Sequence, residues 1–170
     1  MDTDELPVPE RVSVSEIGGR TTRVEVYAEL GSTNTRLREL AVEGAPESTV
    51  VVARAQTAGR GRLGRTWNSP PGAGLYASVL ERPGIEAGRA HVLTLSAAIA
   101  VAEAVSGFGV SGVEIKWPND VLAKGRKIAG ILTESGMLDG KIDPAVVGIG
   151  GNVRQAAVPD DLTDRATSPE

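Results

Sequence analysis

The amino-acid sequence predicts an α+β fold built on a mixed, largely antiparallel sheet, with its helices packed mainly on one face. Three observations carry that expectation. Helical patterning occurs in two places, one beginning at Ser32 and one spanning Gly88–Val105. Around them lie about six or seven short runs of alternating or β-branched apolar residues, the mark of strands. Several of these runs succeed one another across tight-turn residues, whereas a doubly wound sheet needs regular alternation of strand and helix.

Along the chain, residues 1–20 read as a flexible acidic lead-in, with Pro7, Pro9 and the Gly18-Gly19 pair interrupting any regular element. Thr22–Leu30 is expected to be a strand, since Val24 and Val26 alternate with charged neighbours. Gly31 then turns the chain, and Ser32, Thr33 and Asn34 offer side-chain oxygens as helix N-caps. Leu37, Leu40 and Ala41 fall on one face of the helix that follows. Thr49–Ala55 has the β-branched density of a buried strand. A polar glycine-rich loop from Gln56 to Gly74 leads to a strand at Leu75–Leu80. Gly88–Val105 is the strongest helix, and its apolar positions are assigned to the core rather than to a membrane surface. Short strands are expected at Val113–Trp117, Val121–Ala123, Lys127–Glu134 and Ala145–Ile149, with Lys124-Gly125 and Asp139-Gly140 as hairpin turns. The folded domain is thus placed at residues 21–165, with a tail at 166–170.

At 170 residues the chain is long enough for one domain with its own core, since roughly two-thirds of the unfolded surface is buried at this size. Cysteine is absent, which excludes disulfides, thiolate metal sites and cysteine nucleophiles. With a single histidine, a histidine-based triad or a multi-histidine metal site is disfavoured, and His91 reads as a helix-face residue. The net charge is 18 − 22 = −4, so no overall basic field points to nucleic acid. The first five residues are acidic where a secretory signal is basic, so the cytoplasm is the expected compartment and no membrane partner is expected. Chemistry here must come from carboxylates, amides, lysine, arginine and the backbone.

The strongest local signal is Gly59-Arg60-Gly61-Arg62-Leu63-Gly64-Arg65-Thr66. It spells G-x-G-x-x-G and also resembles a phosphate-loop pattern with arginine in place of lysine. Both patterns require a helix to open directly after the glycines, and Trp67-Asn68-Ser69-Pro70-Pro71-Gly72 cannot continue one. Both readings therefore fail. What remains is a flexible backbone carrying Arg60, Arg62 and Arg65, whose fork-shaped donors suit an anion. Taken alone, the loop fits an anion site that closes over a ligand and a solvated Arg/Gly tract equally well.

Lys116-Trp117-Pro118-Asn119-Asp120 sits between two strands, where Pro118 ends ladder pairing and sets a turn. Alone it reads as a β-turn whose Asn119 and Asp120 bond local backbone. Lys127 follows across the Lys124-Gly125-Arg126 turn, which brings it back toward Asp120. Gly130 stands in mid-strand, and Gly148-Ile149-Gly150-Gly151-Asn152 repeats that theme; each is a bulge or a place of close approach.

Ser32-Thr33-Asn34, the run from Gln56 to Arg65, Trp67, the run from Lys116 to Asp120, the run from Arg126 to Leu132 and the run from Gly148 to Val153 occur in that order. Together they resemble the catalytic domain of the biotin protein ligases (biotin–[acetyl-CoA carboxylase] ligases), over roughly residues 22–165. The resemblance implies the class II synthetase-like biotin/lipoate ligase fold, with ATP and biotin as substrates and Mg²⁺ as the metal. It implies two steps: biotinyl-5′-AMP forms, then the biotinyl group passes to a lysine of a biotin carboxyl carrier domain. Lys127, Arg62 and Asp120 are the implied catalytic residues. Lys127 would bridge the biotin carboxylate and the α-phosphate, and Asp120 would orient or deprotonate the acceptor amine and assist the metal. Ser32, Thr33, Asn34 and Gln56 would hold the ureido end of biotin. Gly59, Arg60, Gly61, Arg62, Lys127, Gly130, Gly148 and Gly150 would complete that pocket. Arg60, Arg62, Arg65, Trp67, Asn119, Lys127 and Asn152 would face ATP, with Trp67 over the adenine. Lys116 belongs to the motif, where structural support and chemistry are alternative roles.

Departures from the family pattern add expectations. Gly151 stands where the family carries an apolar residue. No helix-turn-helix precedes the domain, so neither repressor function nor a DNA partner is expected. The chain ends where the family continues into a small β-barrel, so it reads as cut short. A homodimer is left open. The rival readings are a lipoate–protein ligase, a non-catalytic biotin- or biotinyl-AMP-binding module, and, more remotely, an RNA-binding Arg/Gly tract.

Overall fold

The computed structural model describes residues 7–169. Alternating and β-branched segments become β1 (Arg11–Ile17), β2 (Arg20–Leu30), β3 (Thr49–Gln56), β4 (Gly74–Glu81), β5 (Val113–Lys116), β6 (Asp120–Ala123), β7 (Arg126–Leu138) and β8 (Lys141–Asn152). The helices are α1 (Thr33–Val42) and α2 (His91–Gly107). The strands form one sheet in the order β1-β2-β3-β4-β8-β7-β6-β5. The β2–β3 pair is parallel, joined through α1, and every other neighbouring pair is antiparallel. The mixed, largely antiparallel α+β expectation therefore holds.

Leu37, Leu40 and Ala41 of α1 pack on Tyr27, Val51, Ala53, Leu80 and Val146. Taking a leucine fully out of water stabilises by about 1.5–3 kcal/mol, enough to seat so short a helix. The inward stripe of α2, including Leu93, Ala97, Val101 and Val105, packs on Val121, Ala129, Ile131 and Val147. Val146 and Val147 are neighbours on β8, and successive side chains of a strand point to opposite faces. The two helices thus flank the sheet on opposite faces, which corrects the expectation that both lie on one. Residues 88–105 hold the core on their inward face alone, for Val92 and Ile99 are exposed. Ala87–Gly107 is long and apolar enough to cross a membrane by length and composition, with mean hydropathy 1.5.

Both ends depart from expectation. The lead-in carries β1, whose side chains are all exposed and which is held by its ladder to β2. Without an apolar burial pattern of its own, it depends on the edge that β2 presents. Residues 1–6 of that lead-in lie outside the described residues. The tail from residue 166 is not loose. The amide of Thr167 donates to the Lys127 carbonyl at 2.8 Å, and Thr167 and Ser168 are buried; Glu170 lies outside the described residues. The hairpin turns form as expected: Lys124, Gly125, Asp139 and Gly140 all have positive φ, as tight two-residue turns require.

At the far end of α1, the buried Glu25 carboxylate accepts from the Tyr27 hydroxyl at 2.6 Å and from Arg23, while Arg36 donates to the Tyr27 oxygen at 3.3 Å. Tyr27 and Tyr76 are the chain's two tyrosines, and burial raises both phenols above their ordinary 10.0. At Tyr27 the bond from Arg36 opposes that rise and the nearby Glu25 carboxylate adds to it. The unfolded chain ionises first, so this contribution to stability is full below pH 10 and is lost as pH rises through the folded values. In an ultraviolet titration, tyrosinate absorbance is expected only above pH 10 and together with loss of the folded circular-dichroism signal. Tyrosinate at the ordinary pH in folded protein would contradict the burial.

Candidate functional site

The site lies on the α1 face of the sheet, at the helix N-terminus. Ser32, the N-cap residue, is extended, and its carbonyl accepts from the Arg36 amide at 3.0 Å. That turn aims Thr33 and Asn34 at the sheet. The Thr33 amide and hydroxyl both donate to Gln56 Oε1, at 2.9 and 3.2 Å, and Gln56 Nε2 donates to Ser69 Oγ at 2.9 Å. Ser78 Oγ lies 2.8 Å from Thr33 Oγ1 and 2.6 Å from Asn34 Oδ1, with one proton to share between them. Asn34 Nδ2 donates to Glu134 Oε2 at 2.8 Å and to the Leu132 carbonyl at 3.3 Å. Hydroxyls and oriented amides thus line a buried polar pocket.

The floor beside it is made of glycines. Gly130 pairs with Gly150 across β7 and β8, and Gly148 follows the same phase. None of these three has positive φ, so space rather than backbone conformation excludes a side chain. A Cβ on Gly148 would strike the Asn34 amide. A Cβ on Gly150 would lie 2.5 Å from the Trp67 indole, and one on Gly130 would lie 2.9 Å from Lys127 Nζ. Trp67 therefore rests on bare sheet. Gly59 leaves the same room above, beside the Trp67 carbonyl and Ser69.

Lys127 Nζ stands 5.1 Å from the Trp67 ring centroid and 2.6 Å from Asp120 Oδ1. The β6–β7 turn brings this pair together, as the sequence suggested. Asn119 is anchored by its amide to the Ile131 carbonyl at 2.9 Å and accepts from Arg62 Nη1 at 3.2 Å. Asn152 is buried, and its Nδ2 donates to the Thr167 carbonyl at 3.1 Å and the Lys127 carbonyl at 3.4 Å. It braces the lysine's backbone from below. Gly61 through Gly64 turn tightly, with the Gly61 amide on the Arg65 carbonyl at 2.7 Å and Leu63 at φ 58°. The loop and the Leu132–Glu134 stretch of β7 bound an open cavity of about 620 Å³, a size suited to a small ligand.

Most of the residues singled out from sequence converge here. Arg65 sits on the exposed loop, and Arg60 bonds Glu134 and Thr35 rather than pointing into the cavity alone. Trp117 lies apart, 64% exposed and edge-on to His91, whereas Lys116 pairs with Asp120 across the β5–β6 ladder. Gly151 sits on the opposite phase of β8 from Gly148 and Gly150, so it lines no part of this floor. Sequence reasoning missed Ser78 and Glu134. Ser78 carried a signal, being a polar residue in phase with Tyr76 and Leu80 on an otherwise apolar strand. Glu134 carried none that separates it from a solvated strand end.

Fold and site together define a class II synthetase-like ligase fold, with a polar ligand pocket joined to a cationic loop. The chain belongs to the biotin/lipoate A/B protein ligase family, whose model matches residues 27–152. The Bacillus subtilis bifunctional ligase/repressor BirA is 43% identical over 168 residues, covering 94% of this chain and 52% of that protein. A Mycobacterium tuberculosis biotin–[acetyl-CoA-carboxylase] ligase is 38% identical over 98% of this chain and 64% of its own length. The structure of the Aquifex aeolicus biotin protein ligase in complex with biotin and ATP matches with TM-score 0.72 and 37% identity, over 85% of this chain and 58% of that one. The chain spans about half the length of the Bacillus relatives it matches.

Gly150→Ala tests the floor. The added methyl meets the indole, and overpacking of this kind costs about 1–3 kcal/mol. A lowered thermal midpoint with a shifted Trp67 emission, read in a Trp117→Phe background, is expected. Unchanged emission would show that Trp67 does not lie on Gly150.

Proposed function

We propose that this chain is the activating domain of a biotin–protein ligase, which forms biotinyl-5′-AMP from biotin and ATP and passes the biotinyl group to a lysine of a biotin carboxyl carrier domain. One observation carries the proposal: Lys127 stands between Asp120 and the face of Trp67, on a glycine floor that runs into the polar pocket. The relatives' names, and the biotin and ATP of the Aquifex complex, support it.

In the first step a carboxylate oxygen of biotin bonds to the α-phosphorus and the bond to pyrophosphate breaks. The carboxylate is already ionised at neutral pH, so no base is needed. The demand is to hold two anions together and offset charge on the phosphoryl oxygens. We assign this to Lys127 and Arg62, with Trp67 as the stacking face for the nucleotide. The ureido group of biotin both donates and accepts, as the pocket of Thr33, Asn34, Gln56 and Ser78 does. In the second step the acceptor amine attacks the acyl carbon, AMP leaves, and Asp120 orients the amine or takes its proton.

Among the described residues no three acidic or histidine side chains form a metal cluster, and Asp120 Oδ1 is engaged by Lys127. Magnesium would enter with ATP, held by the phosphates of the substrate, with Asp120 as the carboxylate that would assist it.

Biotin-dependent exchange of pyrophosphate into ATP is the test of the first step, with lipoate as the rival substrate and a carrier domain as acceptor for the second. Exchange with lipoate instead of biotin would overturn the reading, and tight biotin binding without exchange would reduce the chain to a binding module. Lys127→Ala is expected to cut exchange by about 10²–10³-fold while the fold persists. Arg62→Gly is expected to release biotinyl-5′-AMP, read as labelling of lysines on a bystander protein. Full activity of the lysine variant would remove Lys127 from its role.

A further inference from the structure

Glu134 sits on β7 in phase with Gly130 and Leu132, so its carboxylate reaches over the polar pocket. One oxygen, Oε2, accepts from Asn34 Nδ2 and from Arg60 Nη2, both at 2.8 Å. The other, Oε1, lies 3.7 Å from Arg38 Nη1 on α1. Two pieces of the chain meet on this carboxylate: α1, through Asn34 at the pocket and Arg38 on its outward face, and the Arg/Gly loop through Arg60. Arg60 adds a bond to Thr35 Oγ1 at 3.3 Å, so its guanidinium is tied to β7 and α1 together. The other loop arginines differ. Arg62 bonds the neutral Asn119 amide, and Arg65 makes no ion pair among the described residues.

We propose that Glu134 is a positioning residue: its carboxylate latches the Arg/Gly loop to the pocket through Arg60 while it fixes the donor side of the Asn34 amide. In this arrangement Arg60 anchors the loop, and the anion-binding capacity of the loop rests with Arg62 and Arg65. The physical reason is commitment of donors. Arg60 directs its Nη2 to Glu134 and Thr35 and so stays tied to β7 and α1, whereas Arg62 bonds only the neutral Asn119 amide and can exchange that bond for an anion. The Asn34 amide is oriented by the same device. Its oxygen is taken by Ser78 and its nitrogen by Glu134, so a flip would set acceptor against acceptor.

The inference deepens the biotin reading and rests on it for the ligand, but its first readout needs no ligand. Glu134→Gln keeps size and an acceptor for Asn34 while removing the charge that holds Arg60. Tryptic cleavage after Arg62 and Arg65 in the ligand-free protein is expected to quicken by about tenfold, the scale of coupling between groups in direct contact. Cleavage after Arg126, outside the loop, is the internal control for general unfolding and is expected to hold its rate. In an Arg60→Ala background the Glu134→Gln effect on cleavage is expected to vanish. Glu134→Ala, which also frees Asn34, is expected to raise the biotin KM of pyrophosphate exchange by about tenfold, with kcat changed by about twofold or less. Unchanged loop cleavage in Glu134→Gln, or additive effects with Arg60→Ala, would overturn the latch. Absence of biotin exchange in the parent protein would instead fail the functional reading and leave the cleavage result to decide the latch.

Discussion

The structure depends on a close approach: side chains from α1 and the Arg/Gly loop lie directly on the backbone of two central strands. β7 and β8 permit this because Gly130, Gly148 and Gly150 share one face of the sheet. A side chain at any of them would displace Asn34, Trp67 or Lys127. Glycine in a strand interior weakens it through entropy and lost packing, a cost of roughly 0.5–1 kcal/mol each relative to alanine. The opposite face offsets that cost, with Ala129, Ile131 and Val147 packed under α2. One face of the same strands is thus built for stability and the other for ligand access.

Charge is arranged on this floor with the same economy. Lys127 has Asp120 as its partner and an indole face beside it, so a strongly hydrated ammonium is kept partly dry at a defined point. Its backbone is gripped on both sides, by the Arg165 carbonyl and the Thr167 amide, while Asn152 reaches its carbonyl from below. The segment after residue 165 therefore belongs to the site's support. Arg62 and Arg65 stand on a loop turned tightly at Leu63 and Gly64, both at positive φ. A lysine fixed on the floor beside a loop that carries two arginines suits the proposed reaction, in which two anions are brought together.

Legibility from sequence followed the range of the forces involved. Thr49–Ala55 and Leu75–Leu80 announced themselves because β-branched density and alternation are local properties. The Lys124-Gly125 and Asp139-Gly140 turns did so because positive φ is nearly a property of residue type. β1 stayed hidden, since none of its side chains is buried and its pairing is supplied wholly by β2. Trp117 and Trp67 look alike within their motifs, yet one is exposed beside His91 and the other lies on the floor. That difference arises from sheet order, which no local pattern encodes.

By itself the sequence determined the α+β class, the order of most elements, the absence of thiol and multi-histidine chemistry, and the set of motifs that mark the family. These follow from residue type and spacing within a few turns of chain. Tertiary structure alone decided that α1 and α2 lie on opposite faces, because that depends on the phase of Val146 and Val147 relative to two distant helices. It alone decided that Arg60 is bound to Glu134, 74 residues away, and that Ser78 joins Thr33 to Asn34. Such contacts are made when strand register closes long loops, and a one-residue slip would send Glu134 and Ser78 to the other face.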